Sequence, residues 1–325
     1  MKTIAARLIL GVVFPAMLAS AAPAQTYPSR PITAIIPFAG GSASDVVSRI
    51  MLERMSKSMG QPIIVENRPG AGGNSGTMAA ARAAPDGYTI VGAGSGPIAA
   101  NISLYKNLGY DPYKDLAIIS PFAGFTIVVV ASANAKINSL KELVASAKAA
   151  PGTLNYGSVG IGSSQHLAGE YFAQVTGTKL THVPYRNIAQ YGPDLIAGTV
   201  PLGFQWFPNV SAPIQGGGAK VLGVAGNERL AALPDSPTTT EAGLPEYKMS
   251  GWFALAAPGG TPLPILERLN KELNAALQDP TVRQAFAKAG AAPIALTLEA
   301  AKKFHADEIV LYRDVITKAG IAQIE

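Results

Sequence analysis

Residues 37–45 read Pro-Phe-Ala-Gly-Gly-Ser-Ala-Ser-Asp. An apolar run, Ile32 to Ile36, precedes them and has the length of a buried strand. After them, Val47, Ile50, Met51, Met55 and Met59 fall on one face of a helix. The stretch is therefore a strand-to-helix turn. Gly40 and Gly41 carry no Cβ, so the backbone can turn tightly and come close to a ligand. Ser42 and Ser44 add hydroxyls. The helix start supplies amide N–H groups without intrahelical partners and about half a positive charge. Such a turn suits a carboxylate or a phosphate. The alternative is an ordinary turn of an α/β domain that binds nothing.

The amino-terminus is set apart from the fold. Lys2 and Arg7 form a basic head, Leu8 to Leu18 is apolar but too short to span a bilayer, and Ala22-Pro23-Ala24 matches a cleavage site. Residues 1–24 are expected to be a signal peptide, with maturation near Gln25. Its loss removes two positive charges and no negative ones, taking the net charge from +5 to +3. No cysteine occurs, which excludes a disulfide scaffold, a thiol nucleophile, a cysteine metal site and a lipidated cysteine. The expected location is a bacterial periplasm. The mature chain is long enough for two domains, each held by its core. Without a Lys/Arg run or basic stripe, nucleic acid is not an expected partner.

Further along, Ile63–Glu66 reads as a second strand, residues 67–73 as a glycine-rich loop, 77–84 as a short helix and Tyr88–Val91 as a third strand. Gly92 to Gly96 then looks like another strand exit built of small residues, with Ser95 in it. The βαβαβ order argues for a mostly parallel sheet flanked by helices. Ile127–Ala131 is a strand, Ser139-Leu140-Lys141-Glu142 a capping box, and Pro151-Gly152 the stop of its helix. Leu154–Gly157 leads into Ser158-Val159-Gly160-Ile161-Gly162-Ser163-Ser164-Gln165-His166. A helix then begins, with Leu167, Tyr171 and Val175 on one face. This repeats the device at residues 37–45. Strands near 181–183, 202–204, 221–225 and 254–256 follow, with a helix near 190–197 and helices over 261–278, 280–289 and 297–319.

The glycine loops invite a nucleotide reading and fail it. Where a dinucleotide fingerprint needs its third glycine, the three candidates carry Ser75, Pro97 and Gln165, and no Gly-Lys-Ser/Thr follows any loop. No cofactor is expected. Three scattered histidines, His166, His182 and His305, make no zinc site. Ser158 does not sit in a nucleophile elbow, so no nucleophile–base pair is visible. Asp45 reads as a cap on backbone amides rather than a catalytic acid. His166 could reach a ligand or simply pack. Arg186, after the strand at 181–183, is the best-placed cation for a distal anionic group.

Together these residues resemble the periplasmic solute-binding proteins of tripartite tricarboxylate transporters, the Bug proteins. The matching pieces include Tyr27 to Ile32, Pro37 to Asp45, Val65 to Gly73, Pro85 to Thr89, Tyr110-Asp111-Pro112, Asn155 to Ser158 with His166-Leu167, His182 to Tyr185, Leu233-Pro234-Asp235, Leu244-Pro245, Trp252, and Ala257-Pro258 with Gly260-Thr261-Pro262. The resemblance covers nearly the whole mature chain. It implies two α/β lobes, 25–125 plus 252–325 and 126–251, crossing near Phe125 and Gly251. It implies a carboxylate held between the lobes by the two serine/glycine loops and passed to a membrane permease without chemistry, by a monomer. The ligand-binding set it suggests is Phe38, Ala39, Gly41, Ser42, Ser44, Ser95, Ser158, Gly162, Ser163, Ser164, His166, Arg186, Gln205 and Trp206. Two departures bear on the guest. Ser42 stands where the family often has Gly, and Gln205-Trp206 where it often has Asp and a small polar residue. Losing the Asp removes a negative charge, and Trp206 offers a flat ring. An aromatic dicarboxylate of the terephthalate kind is expected, with an aliphatic di- or tricarboxylate as the alternative. A periplasmic enzyme, or a module presenting its ligand to a sensor kinase, are the rivals from other classes.

Overall fold

The computed structural model describes residues 27–318 and 320–324; the expected signal peptide lies outside them. β1 (Ile32–Ile36), α1 (Ala43–Met59), β2 (Ile63–Asn67), α2 (Asn74–Ala81) and β3 (Thr89–Gly94) open the fold. A short helix α3 (Asn101–Leu104) leads to β4 (Leu116–Thr126). The chain continues through β5 (Val128–Ser132), α4 (Leu140–Ala149), β6 (Asn155–Ser158), α5 (Ser164–Thr176) and β7 (Thr181–Pro184). Next come α6 (Tyr191–Ala197), β8 (Leu202–Gln205), α7 (Phe207–Gln215), β9 (Ala219–Val224) and β10 (Ser250–Pro258). α8 (Leu263–Gln278), α9 (Pro280–Lys288), β11 (Ala291–Pro293) and α10 (Leu298–Lys318) finish it.

The strands form two sheets, in the orders β11-β4-β10-β3-β1-β2 and β7-β6-β8-β5-β9. Both are mixed. β2-β1-β3 and β7-β6-β8 pair in parallel, and these are the strands whose exits feed helices. β10, β4 and β11 in one sheet, and β5 against β8 and β9 in the other, pair antiparallel. The chain changes sheets between β4 and β5 and again before β10. At that crossing the Ile127 amide donates to the Met249 carbonyl at 3.0 Å, and the Met249 amide to the Ala225 carbonyl at 2.9 Å. The two passing strands are thus bonded where they leave one sheet for the other, a narrow bridge between two lobes.

β4 was hidden in the sequence by Pro121, since proline cannot donate to a ladder and argues against a central strand. The fold accommodates it at a register shift: β10 pairs Phe253 with Ala123 and Ala254 with Pro121, bulging past Phe122. The glycines after Val91 also differ from expectation. Gly92 and Gly94 lie inside β3 and only Ser95-Gly96 leave it; a Cβ on Gly92 would come within 2.8 Å of Ile36 Cδ1 and one on Gly94 within 3.0 Å of the Phe253 ring. Their smallness makes room for side chains packed across the sheet. α7 went unread as well, because Pro208 and Pro213 discourage a helix. Pro208 sits in its first turn, where the missing N–H costs nothing.

Candidate ligand-binding site

Both serine/glycine loops become helix starts of the same design. At α1, Ser42 is the N-cap and its Oγ accepts from the Asp45 amide at 3.4 Å. At α5, Ser163 is the N-cap and its Oγ accepts from the His166 amide at 3.3 Å. Each cap satisfies one of the first-turn amides, leaving others available at the same helix end. The loops are braced from behind. Asp45 accepts from the Gly41 amide at 2.9 Å, from Arg49 Nε at 2.8 Å and from Asn67 Nδ2 at 2.9 Å. Burial alone would raise its pKa, but the bonds from Arg49, Gly41 and Asn67 outweigh it and hold the carboxyl below its ordinary range. In the other loop, His166 Nδ1 accepts from the Gly162 amide at 3.3 Å.

The two starts, one from each sheet, meet at one small cavity lined by Phe38, Ser42, Ala43, Ser44, Val159, Gln165, Trp206, Asn209 and Phe253. None of these side chains carries a charge, so helix-end dipoles, amides and hydroxyls set the potential. The cavity is about 10 Å³, room for about one water. It is tight because the lobes are closed on one another. The Ala43 amide donates to Asn209 Oδ1 at 2.9 Å, Ser95 Oγ and Ser164 Oγ lie 2.9 Å apart, and Tyr105 donates to the Ile161 carbonyl at 3.0 Å. Tyr312 of α10 donates to Ser95 Oγ at 2.9 Å, tying the last helix into the same contact. Asn209 also lines an outer cavity of about 370 Å³, beside Gly40, Gly41 and Ile188. A larger cavity of about 660 Å³ is lined by Thr126, Trp252, Glu308 and Tyr312 among others, and neither helix start reaches it.

Of the residues expected from sequence, Phe38, Ser42, Ser44 and Trp206 line the inner cavity and Gly41 the outer one. Ala39 shapes the turn, its carbonyl accepting from the Ser42 amide. Gly162 and Ser163 build the second loop, and Ser164 bridges to Ser95. Ser158 is buried and its Oγ lies 2.6 Å from His182 Nε2, a serine–histidine pair that the sequence did not reveal because 24 residues separate them. The His166 and His182 rings pack together, centroids 4.3 Å apart with their planes tilted by 38°. Gln205 is buried; its Nε2 donates to the Gly157 carbonyl and its Oε1 accepts from Asn209. Arg186 is exposed and lines none of the described cavities. Sequence reasoning missed Asn209, Gln165, Val159 and Phe253. Asn209 could have been found by following the turn after Trp206 three residues on, into the helix it opens.

Trp206 is held by rings from the other lobe. It stacks on Phe125 at 5.2 Å with 16° between planes, and meets Phe253 edge-on at 4.7 Å. It is only 3% exposed, and its indole Nε1 has no hydrogen-bond partner.

Two lobes joined by paired crossing strands, with helix starts from both facing one gap, define a periplasmic binding protein fold. The chain belongs to the tripartite tricarboxylate transporter receptor family, whose model matches residues 47–321. It is 37% identical over 311 residues to BugT of Bordetella pertussis strain Tohama I, covering 95% of each chain. Among solved structures it resembles periplasmic binding protein BugD, at 32% identity and a TM-score of 0.86 over 92% of this chain and 100% of that one. An R. palustris protein whose structure carries adipate is 31% identical with a TM-score of 0.87, over 92% of this chain and 100% of its own. No helix among the described residues is long and apolar enough to cross a membrane. Among them, no cluster of His, Asp and Glu could hold a metal ion.

Proposed function

We propose that the protein is a periplasmic receptor that captures a small carboxylate between its lobes and hands it, unaltered, to a membrane permease of the tripartite tricarboxylate type. The observation that carries this reading is the meeting of two capped helix starts, one per lobe, at an uncharged cavity. Aligned helix dipoles and spare amides stabilise an anion there without an opposing arginine. Closure excludes water and strengthens those contacts. The guest enters by parting of the lobes and is not transformed. The Ser158–His182 pair is the foothold for an enzyme reading among the described residues, and Ser158 is buried and lines neither the inner nor the outer cavity. The receptor acts as a monomer, since closure needs free surfaces. The chain crosses between the lobes near Phe125 and near Gly251.

The favoured guest is an aromatic dicarboxylate such as terephthalate. Phe38, Trp206 and Phe253 line the cavity and Phe125 backs it, a wall suited to a flat ring. An aliphatic dicarboxylate is the second reading, favoured by the adipate in the R. palustris relative. Calorimetry with terephthalate, benzoate, adipate and citrate tests both. Tightest binding of terephthalate supports the first. Adipate or citrate bound at least as tightly overturns it. Disappearance of any bound acid on incubation with the purified protein overturns the receptor reading itself. Uptake lost on deleting the permease supports delivery, whereas a signalling response that survives that deletion favours a role with a sensor kinase.

A further inference from the structure

We propose that the Trp206 indole N–H is a hydrogen-bond donor to the guest, so that the cleft selects a dicarboxylate over the matching monocarboxylate. This rests on the receptor reading above and assigns Trp206 a polar role beside its ring face.

The structure holds two tryptophans in opposite situations. Trp252 is buried and donates from Nε1 to Glu308 Oε2 at 2.6 Å. Trp206 is more buried still, at 3% exposure against 5%, and its Nε1 donates to nothing. Buried donors are almost always paired, so an orphan at a cavity wall marks the place of an acceptor that comes from outside. The side-chain acceptors around it are turned to other donors. Asn209 Oδ1 already accepts from the Ala43 amide, Gln205 Oε1 accepts from Asn209 Nδ2, and the Ser95 and Ser164 hydroxyls engage each other. Gln165, in the first turn of α5, lines the same cavity and makes no bond to the indole.

The indole's position fixes which part of the guest it meets. A Cβ on Gly251 would lie 2.8 Å from Trp206 Cζ2, 3.2 Å from Ser95 Oγ and 3.3 Å from Ser164 Oγ, so the ring edge beside Nε1 approaches the start of α5. The start of α1, with Ser42, Ser44 and the Ala43 amide, lines the same cavity. One carboxylate takes the Ser44 amide and the Ser42 and Ser44 hydroxyls at the start of α1. A second, at the other end of an apolar body, takes the indole N–H together with the start of α5. A guest with one carboxylate leaves the indole orphaned, as it is now.

The test pairs terephthalate with benzoate and adipate with hexanoate, measured by calorimetry on wild type and Trp206→Phe. Phenylalanine keeps a ring and removes the donor. Each dicarboxylate is expected to lose ~10–100-fold more affinity than its matching monocarboxylate, the range for a hydrogen bond to a charged group, because both members of a pair feel the change of ring alike. Nuclear magnetic resonance on tryptophan-labelled wild type gives a readout that needs no variant. The chain has two indole N–H signals. Saturation with the dicarboxylate should shift that of Trp206 and slow its exchange, leaving that of Trp252 in place. A bound dicarboxylate with an unmoved Trp206 signal, or equal losses for both members of a pair, overturns this proposal alone. Failure of all four acids to bind wild type overturns the receptor reading and this proposal with it.

Discussion

A carboxylate beside an anion-binding helix start repels the guest unless its charge is satisfied elsewhere. Asp45 meets this condition through Gly41, Arg49 and Asn67, with its side chain only 6% exposed. Its bond to the Gly41 amide also fixes the turn, since Gly41 holds a φ of 77° that other residues rarely adopt. Asp45→Ala would free the turn at Gly41, remove one of the bonds that hold the half-buried Asn67, and release Arg49. The expected loss is roughly 2–3 kcal/mol of stability, read from urea denaturation midpoints at constant slope. Affinity for a carboxylate should fall too, because the amides of the turn lose their aim. A weaker fold with an unchanged dissociation constant would mean that the loop keeps its shape without Asp45.

The start of α5 carries a pH dependence of its own. Burial lowers His166 to about 4, and burial with the neighbouring His166 lowers His182 to about 3, both from an ordinary 6.5. Both rings are therefore neutral in the fold, and His166 must be, because its Nδ1 accepts from Gly162. The unfolded chain takes up these protons first. The stability they contribute is present above about pH 6.5 and is lost as pH falls towards 4. Each histidine then costs ~1.4 kcal/mol per pH unit across that window. His305, also lowered by burial, adds to the same trend, so melts between pH 7.5 and 4.5 should lose stability steadily in wild type and about one proton less steeply in His182→Gln; a flat profile would sink the idea. Carboxylates such as Asp45 add their share only at lower pH. This element also marks the limit of what the residues disclosed. The cap at Ser163 and the helix behind it were legible from local pattern, as were β1 and the start of α1. The pairing of Ser158 with His182 was not, because it depends on the register of β6 beside β7. β4 and α7 were obscured by prolines: Pro121 sits at a bulge and Pro208 in a first turn, where the local penalty vanishes, while Pro213 is carried inside the helix. Asn209 was missed for a related reason: its partner, the Ala43 amide, is 166 residues away and comes within reach only when the lobes meet.

For the molecule as a whole, closure depends on backbones meeting where side chains are absent. A Cβ on Gly72 would lie 2.0 Å from the Ile161 carbonyl, and one on Gly96 2.5 Å from the Gly162 carbonyl, contacts that no real Cβ makes. The glycine-rich loop at residues 70–73, which resembles a phosphate cradle in sequence, therefore serves as a surface on which the opposite lobe docks. Gly96 offers the cleaner test, because its backbone suits any residue whereas Gly72 has a φ of 61°. Gly96→Ala leaves each lobe free to fold but sets a methyl between them. The lobes cannot then bring Ser95 to Ser164, nor Trp206 to Phe125 and Phe253. The expected result is a melting temperature close to wild type, a larger radius of gyration by solution scattering with carboxylate present, and affinity down by about tenfold or more. Gly192→Ala, whose Cβ would meet Pro213 Cγ at an ordinary 3.7 Å, is the control and should change none of these. If Gly96→Ala binds and compacts like wild type, the guest is held by one lobe alone. The convergence of the two helix starts would then be no part of how the anion is bound.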